Sequence, residues 1–136
     1  MTGKELQEAV NKLCLDMKAN LPGFIFCGIL KCADATIIGS SSADPEISTI
    51  AKEVSPFFTT IVEQVEKVVT SSESLGVKEI HRILIETDKV TNVIGVSNLG
   101  KYFILLALDS AKANIAIART LVEKSRSLAV ILDEQF

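Results

Sequence analysis

Apolar and polar residues change period along the chain in a way that predicts alternating helices and hairpins. Leu6, Val10, Leu13 and Met17 recur at helical spacing, with Gln7, Glu8, Asn11 and Lys18 on the opposite face. This predicts a helix over 2–20. Thr2 and Glu5 have capping-box spacing at its start, and Leu21-Pro22-Gly23 stops it. Phe24 to Cys32 is aromatic and β-branched with little alternation, as in a strand covered on both faces. A tight Ala33-Asp34-Ala35 connection leads into a second strand, Thr36 to Ser41, paired with the first as a hairpin.

Asp44-Pro45-Glu46 combines an N-cap, a first-turn proline and an acid at the positive end of a helix. The helix then runs toward Ser72 across Pro56. Either one long helix bends at Pro56, or Ser55 caps a second helix there; the single bent helix is the preferred reading. After Gly76, Val77 to Glu86 predicts a third strand with polar and apolar residues on both faces, as at a sheet edge. Asp88-Lys89 turns into a fourth strand, Val90 to Ser97. Asn98-Leu99-Gly100 turns into a fifth, Tyr102 to Leu108, which is apolar throughout. Asp109-Ser110 then caps a last helix. Its inner stripe is Ala111, Ile115, Ala118, Val122, Ser125, Ala129 and Leu132, and Arg119, Lys124 and Arg126 lie on its polar side or toward its end.

The order α-β-β-α-β-β-β-α, with hairpin-linked strands, predicts an α+β fold: a five-stranded antiparallel sheet sandwiched by helices. At 136 residues the chain fits one domain over 1–136.

The middle helix carries an unusual pattern. Its apolar positions from Ile47 to Val69 span about 140° at about 100° per residue, wider than one core-facing stripe requires. Ile50, Phe57, Ile61 and Val68 form one shoulder; Ala51, Phe58, Val62 and Val69 form the other. One sheet need not cover both, so a second chain is expected on one of them. With the edge-like third strand, this suggests a two-fold dimer that continues the sheet. The expected contact residues are Ile50, Val54, Phe57, Phe58, Ile61, Val65, Val68, Ile80 and Arg82.

Composition narrows the chemistry. The chain is 48% hydrophobic, with 14 basic and 17 acidic residues and a formal charge of −3. Its Lys and Arg are scattered, which argues against nucleic acid. The longest apolar run, Tyr102 to Leu108, is too short to span a membrane. The first residues lack a secretory pattern, and three cysteines without a C-x-x-C pair suit a reducing cytoplasm. His81 is the single histidine, and no P-loop, dinucleotide, hydrolase or metalloprotease motif occurs. No catalytic, cofactor or metal residue is expected.

Pro22-Gly23-Phe24 through Ser42, the long helix from Asp44 to Ser72, and the Val77–Leu108 meander together resemble the roadblock / dynein light chain family. So does Leu108-Asp109 followed by Asn114-Ile115-Ala116-Ile117-Ala118-Arg119, with Ala116 where Gly is commoner. The resemblance covers residues 4–132. It implies a domain without cofactor that dimerises through its third strand and middle helix into a ten-stranded sheet. It further implies a regulator or scaffold: some members bind Ras-like small GTPases in bacterial polarity systems, others serve in dynein motors or lysosomal signalling scaffolds. Three functions follow as expectations: a dimeric GTPase regulator, a purely structural adaptor of a larger complex, or a small-ligand-binding α+β domain. If hydrolysis were accelerated through an arginine finger, Arg82, Arg119 and Arg126 are the only candidates.

Overall fold

The computed structural model describes residues 2–135. The elements are α1 (Gly3–Asn20), β1 (Phe24–Lys31), β2 (Ile37–Ser42), α2 (Pro45–Ser71), a 3-10 turn (Glu73–Leu75), β3 (Ile83–Glu86), β4 (Val90–Val96), β5 (Tyr102–Asp109) and α3 (Ile115–Gln135). The strands form one antiparallel sheet in the order β2-β1-β5-β4-β3. β1 and β5, the two runs without alternation, therefore lie inside the sheet as expected.

Two apolar layers cover that sheet. On one face α1 and α3 bring Leu6, Val10, Met17, Ala118 and Val122 onto Ile29, Ile104 and Leu106. On the other, α2 brings Ala51 and Val62 onto Leu30, Ile94, Phe103 and Leu105. The odd spacing of Cys27 and Cys32 sends them to opposite layers. All three cysteines are buried and free. Burial pushes the Cys32 thiol up to about 12, aided by the charges of Glu66, Glu63 and Asp133. The hydrogen bond with Cys14, then burial, raises the Cys27 thiol well above its ordinary value.

The helix ends follow their capping residues. Thr2 Oγ1 accepts from the Glu5 amide, and Asp44 Oδ1 accepts from the Ile47 amide. α2 runs unbroken through Pro56. Ser55 does not cap a second helix; its hydroxyl donates to the Ala51 carbonyl one turn back.

Two boundaries differ from the sequence expectation. α3 begins at Ile115 rather than after Asp109-Ser110. Asp109 instead closes a turn, accepting from the Ala111 amide, and Asn114 caps the helix by accepting from the Ile117 amide. Ala111 consequently lies outside α3. The third strand is also shorter than Val77–Glu86. Residues 77–82 precede it as non-strand chain.

Arg126 stands where the longer strand would pair. Ile83 pairs with Ile94, so the same register would set His81 opposite Val96. The Arg126 guanidinium occupies that gap. Its Nε donates to the Val96 carbonyl at 2.8 Å and its Nη2 to the Ile80 carbonyl at 3.2 Å. One side chain thus satisfies the Val96 carbonyl, which a longer β3 ladder would otherwise use, and ties Ile80 to α3.

Candidate protein interface

α2 meets the sheet with its smaller residues. Ala51, Ser55, Thr59 and Val62 are its buried positions. At about 100° per residue they centre roughly 135° around the helix from Ile50, Phe57, Ile61 and Val68. The large apolar shoulder therefore does not point at the sheet. Phe57 is 69% exposed, Val68 61% and Ile50 51%. Val54, Phe58, Ile61 and Val65 are half-buried. The opposite shoulder turns inward, with Ala51 and Val62 buried and Phe58 packed against the core.

Beside the outward shoulder, a gap remains between α2 and the sheet. A trough of about 510 Å³ runs between Ile50, Val54 and Phe57 as one wall and Leu105, Ala107 and Asn92 as its floor. Apolar side chains dominate it. It has no titratable group to drive chemistry, and its geometry suits another apolar surface.

Ile80 and Arg82, expected on the third strand, lie just before it. Ile80 is half-buried against the α2-side core. Arg82 reaches the other way, and its Nη1 donates to Glu123 Oε2 of α3 at 3.0 Å. The sheet edge available for pairing is therefore the four residues of β3, and Ile80 and Arg82 flank it without belonging to it.

The third arginine is a correction of another kind. Arg126 is not on the polar side of α3. It is buried on the inner stripe, where it also donates to Asn98 Oδ1 at 3.1 Å and approaches Glu79 and Glu123 at 3.8 and 3.7 Å. A guanidinium so occupied is not free to enter another protein's active site. Arg119 is the exposed arginine of the three.

The Asn98–Lys101 turn holds no anion-binding cradle. The Leu99 and Lys101 amides both donate to the Asp133 carboxylate of α3, at 2.7 and 3.2 Å. Gly100 sits in the left-handed region at φ 73°, and a Cβ there would collide with Glu66 Oε1 from α2. That oxygen is covered and makes no hydrogen bond. Burial raises the Glu66 carboxyl, as do the charges of Glu63 and Asp133. A carboxyl raised in the fold contributes stability that is complete below its unfolded value of 4.5 and is lost as pH rises through the folded value. Glu66→Gln should therefore raise Tm at pH 7 by about 1–3 °C, and the gain should vanish by pH 4. Melts of both proteins from pH 4 to 8 check this; a gain that is constant across the range would show that ionisation is not its source.

Among the described residues no three metal-ligating side chains gather, and no helix is long and apolar enough to cross a membrane.

No protein-family model matches the sequence, and no characterised relative is found by sequence. Solved structures do match. MglB of Myxococcus xanthus aligns over 98% of this chain and 93% of its own, with a TM-score of 0.72 and 14% identity. A Roadblock/LC7 domain from Streptomyces avermitilis covers 86% of this chain and 94% of its own, at 0.64 and 13%. An MglB described in a tetrameric arrangement covers 100% and 96%, at 0.69 and 12%. The fold is that of a roadblock-type domain. At these identities the likeness concerns the fold.

Proposed function

We propose that this chain is a homodimeric, non-enzymatic interaction module of the cytoplasm that regulates a Ras-like small GTPase. One observation carries the dimer: α2 directs Ile50, Phe57, Ile61 and Val68 away from its own sheet, beside an open apolar trough. Around a two-fold axis the shoulder of one copy would fill the trough of the other, and the β3 edges would meet. Ile50, Val54, Phe57, Phe58, Ile61, Val65 and Val68 would form the seam, with Ile80 and Arg82 at its margin. The described tetramer of a structurally similar MglB supports self-association as a habit of the fold. The GTPase rests on the sequence resemblance, since some roadblock proteins bind such partners. Arg126 is buried and Arg82 is paired, which leaves the exposed Arg119 as the one arginine that could be donated; reshaping the GTPase needs none.

Light scattering over a micromolar concentration series should give twice the monomer mass. Phe57→Glu and Ile61→Glu should each weaken association at least about tenfold, because a charge placed in an apolar seam must be desolvated. A monomer throughout, or dimers indifferent to both substitutions, would remove this reading. A candidate GTPase should bind differently in its GTP and GDP states. Equal binding with unchanged hydrolysis would instead favour the purely structural adaptor.

A further inference from the structure

On the opposite face of the sheet from α2, the second and third turns of α3 and Arg82 enclose an open recess of about 370 Å³. Its lining is Arg82, Arg119, Thr120, Glu123 and Lys124. Three of these are cations and one is an anion, in a chain whose formal charge is −3. The charges inside the recess are unevenly used. Glu123 is already engaged twice, with Arg82 at 3.0 Å and with the buried Arg126 at 3.7 Å. Arg119 and Lys124 have no ionic partner among the described residues. Arg82 Nε is covered and makes no hydrogen bond. Positive charge is therefore in excess here, with Glu123 the one acidic residue of the lining.

We propose that this recess docks an acidic segment of a partner protein, with two carboxylates set against Arg119 and Lys124. The spacing favours an extended segment over a single compact oxyanion. Arg119 and Lys124 are five residues apart, about 140° around the helix, and Thr120 and Glu123 lie between them. The offset of about 140° directs the two cations to separate flanks, and the central Glu123 carboxylate would repel a single phosphate held between them. Two separate carboxylates reach one flank each. Such a rim of exposed cations contributes mainly to orientation and rate of encounter, and its effect falls with salt. The site lies on a different face from the α2 shoulder and shares only Arg82 with the margin of the proposed seam; its two docking cations, Arg119 and Lys124, stand on α3, so it requires neither the dimer nor the GTPase.

The probe is a fluorescein-labelled peptide of six glutamates spaced by glycines, titrated with the full chain at low ionic strength. Arg119→Ala with Lys124→Ala should weaken binding about tenfold. Arg119→Lys with Lys124→Arg, which keeps the charge, should stay within about twofold of the original. A control pair on α1, Lys12→Ala with Lys18→Ala, removes the same charge elsewhere and should change little. Amide shifts in ¹H–¹⁵N spectra should centre on residues 82 and 119–124. Equal losses from both alanine pairs would mean general charge attraction and would overturn the site. So would undiminished binding to the Arg119/Lys124 alanine variant, or displacement of the peptide by inorganic phosphate at lower concentration than by unlabelled peptide.

Discussion

Asp133→Ala should lower stability by about 3 kcal/mol, read as a lower urea midpoint with an unchanged slope. The carboxylate is buried near the end of α3 and accepts from three donors of the β4–β5 turn: Ser97 Oγ, the Leu99 amide and the Lys101 amide. Ser97 is itself buried, and its oxygen accepts from the Tyr102 amide. Removing the carboxylate leaves the buried Ser97 hydroxyl and two part-buried amides without their acceptor. Each orphaned donor carries its own desolvation cost. Asp133→Asn separates the effect of charge from that of hydrogen bonding. Its one remaining carbonyl oxygen can still serve Ser97 and Lys101, while its amide group faces the Leu99 N–H, donor against donor. About half the loss should therefore return. A midpoint for Asp133→Ala within error of the unsubstituted protein would mean that the turn finds other acceptors.

The framework of this fold was readable because each element carries a local signal. Capping residues stand before α1 and α2, and β1 and β5 lack alternation because both of their faces are covered. What failed was the boundary of any element set by a distant partner. Val77–Arg82 has the β-branched, mixed pattern of an edge strand, and nothing local says that a guanidinium from α3 will take the Val96 carbonyl it would pair with. Asp109 looks like a helix cap because an Asx turn and an N-cap use the same side-chain chemistry. Only the chain geometry up to Asn114 distinguishes them.

The candidate interface was half legible. Two apolar shoulders on α2 follow from helical period alone. Which one faces outward depends on Ser55 and Thr59 being the residues that meet the sheet, and a hydrophobicity pattern assigns those positions to solvent. α2 lies close over the strands where its side chains are small, and this turns Phe57 and Ile50 to the side. The buried charges of α3 did leave a signal. Val122, Arg126, Ala129 and Asp133 follow the spacing i, i+4, i+7, i+11, which is one face of a helix. Residue type suggested a solvated edge, and position suggested the core. Position was the better guide, because the β4–β5 turn and the end of β4 present unpaired backbone groups for those charges to satisfy.

Arg126→Ala is expected to be the most damaging single substitution, at about 3–5 kcal/mol. It removes the donor for the Val96 and Ile80 carbonyls and for Asn98 Oδ1. It also leaves Glu123 with Arg82 alone, and Glu79 with His81 alone. Arg126→Lys should recover little, since an ammonium cannot span acceptors on both sides of the gap as a planar fork does. The effect should also be local before it is global. Hydrogen exchange should quicken across 77–82 under conditions where β1 and β5 remain protected, because that segment is fastened to the rest of the chain largely through α3. The proposed dimer adds a further consequence. Ile80 and Arg82 flank the β3 edge, so loosening 77–82 should weaken association even at temperatures where the monomer stays folded. A variant that is less stable but associates normally would place the seam wholly on α2 and β3. Unchanged exchange across 77–82 would show that Arg126 does not hold the segment in place.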